Sequence, residues 1–310
     1  MKHHVRGSVA AASLLTALAW PRPGGAQAFT PPEGVGSVTL AWQYVHNLGH
    51  RLSDGYYFPN GDSVTTSALV DVEYAFSDRL SASVGVPYVF AKYTGSDPPF
   101  SGLPNDTCRC WSSGFADFGA SVRYRFGGST WAVTPTVRFG VPSHDYPYRG
   151  EAVVGKALSE MQVGVLAGLR LVNVLPNATL QAGYTYAFVE QPLDDVPIDR
   201  SNLFVDFGYA VNRRLYLRAA WLGQHTHGGL RLGSPSGDPF FPPGEFNTPE
   251  RFAEADRLLH VRVMELTGGV SVNLGAVDVF ASYTKYVWGR DAHNSRVFGL
   301  GATWYFGLPQ

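Results

Sequence analysis

Residues 116–126 alternate without a break. Asp117, Gly119, Ser121, Arg123 and Arg125 interleave with Ala116, Phe118, Ala120, Val122, Tyr124 and Phe126. A strand sends successive side chains to opposite faces, so this segment carries one apolar and one polar face. The pattern returns to the end of the chain, and no helical run is strong enough to cover it. A soluble protein would bury the apolar face and wet the polar one. A transmembrane barrel does the reverse, with apolar side chains against lipid and polar ones lining the lumen.

The N-terminus favours the membrane. Lys2, His3, His4 and Arg6 precede an apolar stretch from Val9 to Trp20, and Ala26-Gln27-Ala28 offers the small-x-small site of a secretory signal peptide. Cleavage is expected after Ala28, making 1–28 the signal peptide and 29–310 the exported domain. The apolar stretch is shorter than the ~20 residues of a spanning helix. The residue directly after the cleavage site is Phe29 rather than a cysteine, which argues against a lipid anchor, and no later run reaches helix-spanning length. Charged residues make up 16% of the chain, against about 25% in ordinary soluble proteins. That deficit suits a large lipid-facing surface. A net charge of −1 gives no case for nucleic-acid binding. Cys108 and Cys110 form a Cys-Arg-Cys loop in an oxidising compartment. A bridge across one residue reads as a labile link rather than a staple, and a metal or redox role has less to support it.

Alternating segments fall at 36–46, 64–76, 80–91, 114–126, 130–141, 157–172, 178–189, 201–211, 214–224, 261–274, 277–288 and 294–306. They predict an all-β, single antiparallel up-and-down barrel of about twelve strands, an even number as in bacterial outer-membrane barrels. Tight turns at 77–79, 127–129, 173–177, 212–213 and 275–276 alternate with longer links at 47–63, 92–113, 142–156, 190–200, 225–260 and 289–293. Short periplasmic turns and long extracellular loops are the architecture of such a barrel. Aromatic residues at strand ends, among them Tyr44, Phe76, Tyr88, Trp131, Trp221, Trp288 and Trp304, read as interfacial girdles. Pro87 and Pro135 fall inside strands that have no free edge, so both are expected at bulges or register breaks.

The inward face collects Asp71, Glu73, Asp117, Arg123, Arg125, Arg138, Glu160, Arg170, Asp206, Arg218, Glu265 and Asp278. Charges of both signs in a confined lumen either pair with one another or set solute selectivity. The mixed signs predict a lumen that conducts weakly or transiently. His144, Asp145, His225, His227 and His293 are placed on the extracellular rim, and rim polarity is preferred over a metal site. No catalytic, cofactor-binding or metal-binding residue is assigned. The loop 225–260 contains Thr248-Pro249-Glu250, a helix start, followed by Phe252, Ala255, Leu258 and Leu259 on one face; it predicts a short helix acting as a lid.

Several stretches resemble the bacterial barrel family named for the MetA pathway of phenol degradation. They are Phe29-Thr30-Pro31-Pro32, Tyr74-Ala75-Phe76-Ser77-Asp78-Arg79-Leu80, Gly85-Val86-Pro87-Tyr88, Asp117-Phe118-Gly119, Arg123-Tyr124-Arg125 and Thr134-Pro135. The resemblance implies a transporter-like outer-membrane channel for small hydrophobic or aromatic compounds, and it supplies no catalytic residues. Gly299-Leu300-Gly301-Ala302-Thr303-Trp304-Tyr305-Phe306 also resembles the C-terminal signal read by the barrel-insertion machinery, with Gly307-Leu308-Pro309-Gln310 trailing it. The expected partners are outer-membrane lipid, that machinery and a small-molecule solute, with no nucleic acid. Two alternatives stand beside a channel. One is a plugged structural or adhesion-type barrel acting through its loops. The other is a surface phospholipase, for which Arg200-Ser201-Asn202 has no convincing His partner in the sequence.

Overall fold

The computed structural model describes residues 27–59, 62–95, 104–150, 152–233, 245–246, 248, 251 and 254–308. Residues 1–26, where most of the expected signal peptide falls, lie outside them, as do most of 234–253. One antiparallel sheet closes on itself. In chain order its strands are β1 (Gly36–Arg51), β2 (Tyr57–Phe58), β3 (Ser63–Ala75), β4 (Leu80–Tyr93), β5 (Ser112–Phe115), β6 (Phe118–Tyr124), β7 (Phe126–Gly127) and β8 (Trp131–Val141). They continue as β9 (Glu160–Arg170), β10 (Ala178–Val189), β11 (Ile198–Ala210), β12 (Leu215–Gly228), β13 (Arg262–Asn273), β14 (Val277–Arg290) and β15 (Ala292–Phe306). Each wall strand pairs with its sequence neighbours, and β15 returns to β1 from Gly36 opposite Phe306 up to Arg51 opposite Ala292. With β5, β6 and β7 forming one stave and β2 a short appendage, the wall has twelve staves. Closure leaves the wall no free edge, so its backbone groups can be satisfied inside lipid.

The alternation fixes the faces. Leu40, Val84, Val122, Leu266 and Leu300 are exposed on the outside, whereas Glu73, Arg123, Gln181, Asp206 and Thr267 are buried within. Large apolar side chains with nothing but lipid to meet are what an outward-facing bilayer band requires. The short helices α1 (Pro104–Thr107) and α2 (Ala255–Leu258) form in the loops rather than in the wall. Cys108 and Cys110, just after α1, are bonded to each other.

The structure departs from the sequence reading in specific places. The strand expected at 114–126 is broken. Phe115 stands opposite Tyr88, but Gly119 stands opposite Gly85, so the β5–β6 stave carries one extra residue there. The carbonyl of Pro87 accepts the Ala116 N–H at 3.1 Å across this bulge. The inserted residue reverses the phase above it, and Ala116 turns into the barrel instead of toward lipid. Pro135 causes no shift; it interrupts the ladder between β6 and β7, where it has no N–H to donate. The strand expected to begin at 157 begins at Glu160, because Leu158 is drawn into the mouth. The long link expected at 289–293 shrinks to Asp291 alone, and β12 extends through His225 and His227 to Gly228.

Candidate functional site

The lumen is occupied near its turn end by the chain's own N-terminal segment. The Ala28 N–H donates to Gln181 Oε1 at 2.9 Å, and the Ala28 carbonyl accepts the Thr134 hydroxyl at 2.6 Å. Arg123 Nη1 donates to the Gln27 carbonyl at 2.6 Å. Phe29 packs with Ala28, Ala132 and Leu166, with Phe204 against the cluster, and the Arg170 guanidinium lies 4.8 Å from its ring centre. Farther down, Thr30 donates to the Asp78 carbonyl at 2.6 Å in the β3–β4 turn, which marks the segment's entry at the turn end. Gly168 allows the approach: a Cβ there would come within 2.8 Å of both the Ala28 side chain and the Phe29 ring.

The predicted inward charges form a paired lining. Arg123 pairs with Glu73, and Arg218 with Asp206. Glu160 pairs with Arg200, which lies one residue outside the strand predicted from sequence. Asp278 accepts the Asn273 amide at 2.7 Å and the Tyr305 hydroxyl at 3.0 Å, and Glu265 accepts the Ser295 hydroxyl at 3.3 Å. Asp117 is met by the Tyr146 hydroxyl. A Cβ on Gly119 would run into the Arg138 guanidinium, and one on Gly85 would reach the Asp71 carboxylate at 3.3 Å. Among the described residues, buried Arg125 Nε meets no hydrogen-bond partner. In a confined interior such pairing offsets part of the cost of burying charge.

The loop end is packed with side chains. Leu52, Leu158, Val189, Leu230, Phe246 and Leu258 belong to one buried cluster there, and all four residues of α2 are buried. Helix forms where the sequence places it: Arg251 is helical, and α2 follows at Ala255–Leu258. The expected capping hydroxyl, Thr248, accepts the Arg251 N–H at 3.2 Å. Phe252 lies outside the described residues. Glu254 clamps the lid to the loop after β8, accepting Arg149 at 2.8 Å and Arg257 at 2.6 Å. Arg257 also donates to the Lys156 and Ala157 carbonyls, at 3.2 and 3.3 Å, and covers the Tyr148 ring at 4.2 Å. Burial pushes the Lys156 ammonium down to about 8; nearby Arg200 adds to the shift, and Asp256, Glu160 and Asp117 oppose it. Asp291 accepts the Ser53 hydroxyl and the Leu232 N–H, each at 2.7 Å, tying the β14–β15 link to the lid.

The predicted rim histidines separate. His144 and Asp145 are exposed in the loop after β8. His293 is not on an open rim; its ring packs 4.6 Å from that of His50, with both nitrogens buried. His225 and His227 sit on the outer wall, where Ser201 Oγ is 2.7 Å from His227 Nε2 and 2.8 Å from the Tyr184 hydroxyl. Ser201 thus has a histidine neighbour that sequence spacing did not reveal, because the pair is diagonal across β11 and β12. Asp199, directly opposite His227, accepts the Tyr186 hydroxyl at 3.1 Å and the Val189 N–H at 2.9 Å, not the imidazole. Among the described residues, no three His, Cys, Asp or Glu side chains gather to hold a metal ion.

No protein-family model and no curated protein matches this chain. Solved structures do. The COG4313 outer membrane channel from Pseudomonas putida F1 is 13% identical with a TM-score of 0.66, covering 92% of this chain and 100% of its own. The NanC porin is 9% identical with a TM-score of 0.50, covering 86% and 98%. The beta domain of the Bordetella autotransporter BrkA is 17% identical, also at 0.50, covering 88% and 100%. These likenesses establish the fold, an outer-membrane β-barrel. The resemblance to the phenol-degradation barrels has no sequence-level match behind it.

Proposed function

We propose that this chain is an outer-membrane channel that rests closed and passes small molecules down their gradient, catalysing no reaction. The observation that carries this reading is the Gln27–Thr30 segment inside the lumen, held by side chains from β6, β8, β9, β10 and β11. Each neutral hydrogen bond contributes only about 1 kcal/mol net, so the segment can be displaced without unfolding the wall. Phe29, Leu166 and Phe204 beside paired charges favour small hydrophobic or aromatic solutes over sugars. The reading includes export through an N-terminal signal cut ahead of Gln27 rather than after Ala28, so that both residues stay in the lumen, and insertion through β15.

The test is Gly168→Val, which places methyl groups where Ala28 and Phe29 pack. The wild type is expected to give small, brief currents in planar bilayers and slow liposome swelling with aromatic acids. The variant should raise both several-fold. Large steady wild-type currents, or an unchanged variant, would sink the proposal. A plug that never leaves gives the structural-barrel reading, and then neither protein passes any solute.

The Ser201–His227 contact favours a second reading, a surface hydrolase in which His227 takes the serine proton. It lacks a carboxylate on the imidazole among the described residues. Phospholipid hydrolysis by the pure protein with calcium, abolished by Ser201→Ala, would establish it.

A further inference from the structure

Three adjacent strands carry basic side chains at one register on the outer wall. Lys285 on β14 stands directly opposite Arg296 on β15, and Arg296 directly opposite His46 on β1. All three share the outward phase with Tyr283, Phe298 and Tyr44, each exposed to lipid. Directly opposed like charges in a sheet repel. Neither Lys285 nor Arg296 makes an ion pair among the described residues. Arg262 and Arg290, opposite one another on β13 and β14, add two more basic side chains farther up the wall.

Height along the wall places these cations. β14 starts at Val277 on the turn side, β1 starts at Gly36, and β15 ends there at Phe306. A strand tilted by about 40° climbs roughly 2.5 Å per residue. Lys285, Arg296 and His46 then lie roughly 20–25 Å above the turn rim, at the upper edge of an apolar band about 25 Å tall. A lysine or arginine facing lipid is strongly destabilising at the midplane and costs little near an interface, so the row is tolerated at this level.

The rows beneath complete an amphiphile's profile. Tyr283, Phe298 and Tyr44 are mutually opposite in the next outward row, and Leu300 and Trp42 are opposite one another below them. Trp42 lies edge-on to Phe298 at 6.1 Å. Cations over aromatic rings over aliphatic side chains match phosphate over sugar over acyl chain. A free phosphate would use only the top row.

We propose that the outward face of β14, β15 and β1 binds a phosphate-bearing glycolipid of the outer leaflet, with Lys285 and Arg296 sharing one phosphate. Arg296 offers the paired N–H donors suited to phosphate oxygens, and Lys285 adds a compact charge. The bound anion removes the repulsion between them.

The test uses the full exported barrel in neutral detergent and reads lipid binding by native mass spectrometry. Lipid A carrying its phosphates, the same lipid dephosphorylated, and inorganic phosphate are the three probes. The wild type should retain phosphorylated lipid A at least tenfold more tightly than the dephosphorylated form, and inorganic phosphate should not displace it at equal concentration. Lys285→Gln/Arg296→Gln should lose that preference, whereas Arg213→Gln/Arg214→Gln in the turn after β11 should keep it. Equal binding of both lipids by the wild type would overturn the proposal without reference to any variant. Retained preference in Lys285→Gln/Arg296→Gln, or displacement by inorganic phosphate, would overturn it as well.

Discussion

Arg123 serves two partners: it neutralises Glu73, and it holds the Gln27 carbonyl of the lumen segment. Removing it leaves the Glu73 carboxylate buried without its charge partner. Breaking a buried pair from one side typically costs about 3–5 kcal/mol, whereas replacing both members by neutral groups is often close to neutral. Arg123→Met should therefore lower the barrel's stability to urea by about 3 kcal/mol, and Glu73→Gln/Arg123→Met should recover most of that loss. Conductance should separate the two roles. Both proteins lack the bond to Gln27, so both should leak more than wild type although only one is unstable. Equal stability of the single and double variants would mean that the pair contributes nothing. The charges themselves were legible from period two alone, since Glu73, Arg123, Asp206 and Arg218 fall on one phase. Their partners were not. Arg200 escaped because β11 begins at Ile198, three residues ahead of the start read from the sequence, and Ser201 meets His227 by a diagonal that a linear sequence does not encode.

Among the elements, wall strands were easier to read than loops because their constraint repeats at every second residue. Ala116 is the exception that locates the limit. Its phase depends on a single extra residue opposite Pro87, and the sequence shows the proline but not how many residues bulge against it. The lid helix was recognisable from Thr248 and its apolar face. The clamp made by Glu254 between Arg149 and Arg257 was not, because it joins loops 105 residues apart. Lys156 makes that closure sensitive to pH. With the mouth shut, burial holds its pKa at about 8, with Arg200 on β11 lowering it and Asp256 on α2, Glu160 on β9 and Asp117 between β5 and β6 raising it. With the mouth open, the ammonium returns to its ordinary value near 10.4. The closed state binds the proton less well, so closure bears its full cost below pH 8 and loses that cost as pH rises toward 10. Open probability should fall across that interval. Lys156→Met should be more closed at pH 7 and flat from pH 8 to 10; an unchanged slope in the variant would assign the dependence to another group.

At the scale of the whole molecule, the proposed channel would be barred twice, by the N-terminal segment near the turns and by the lid at the loops. The two barriers share no side chain. Arg123, Thr134, Arg170 and Gln181 hold the first, and Arg149, Glu254 and Arg257 hold the second. Sites that are far apart and have no common partner usually contribute additively in free energy. For independent gates in series, the conducting fraction is the product of the two open fractions, so factors gained at each gate multiply. Gly168→Val should then raise conductance by one factor, Glu254→Gln by another, and the double variant by their product. Single-channel recording distinguishes this from coupling. If displacing the segment also released the lid, the double variant would conduct no better than the stronger single one, and its closed times would follow one exponential rather than two. A product of factors would mean that a solute entering from outside must open the lid before it can meet Phe29. The barrel would then hold solute between its gates, as a binding chamber and not as an open pore.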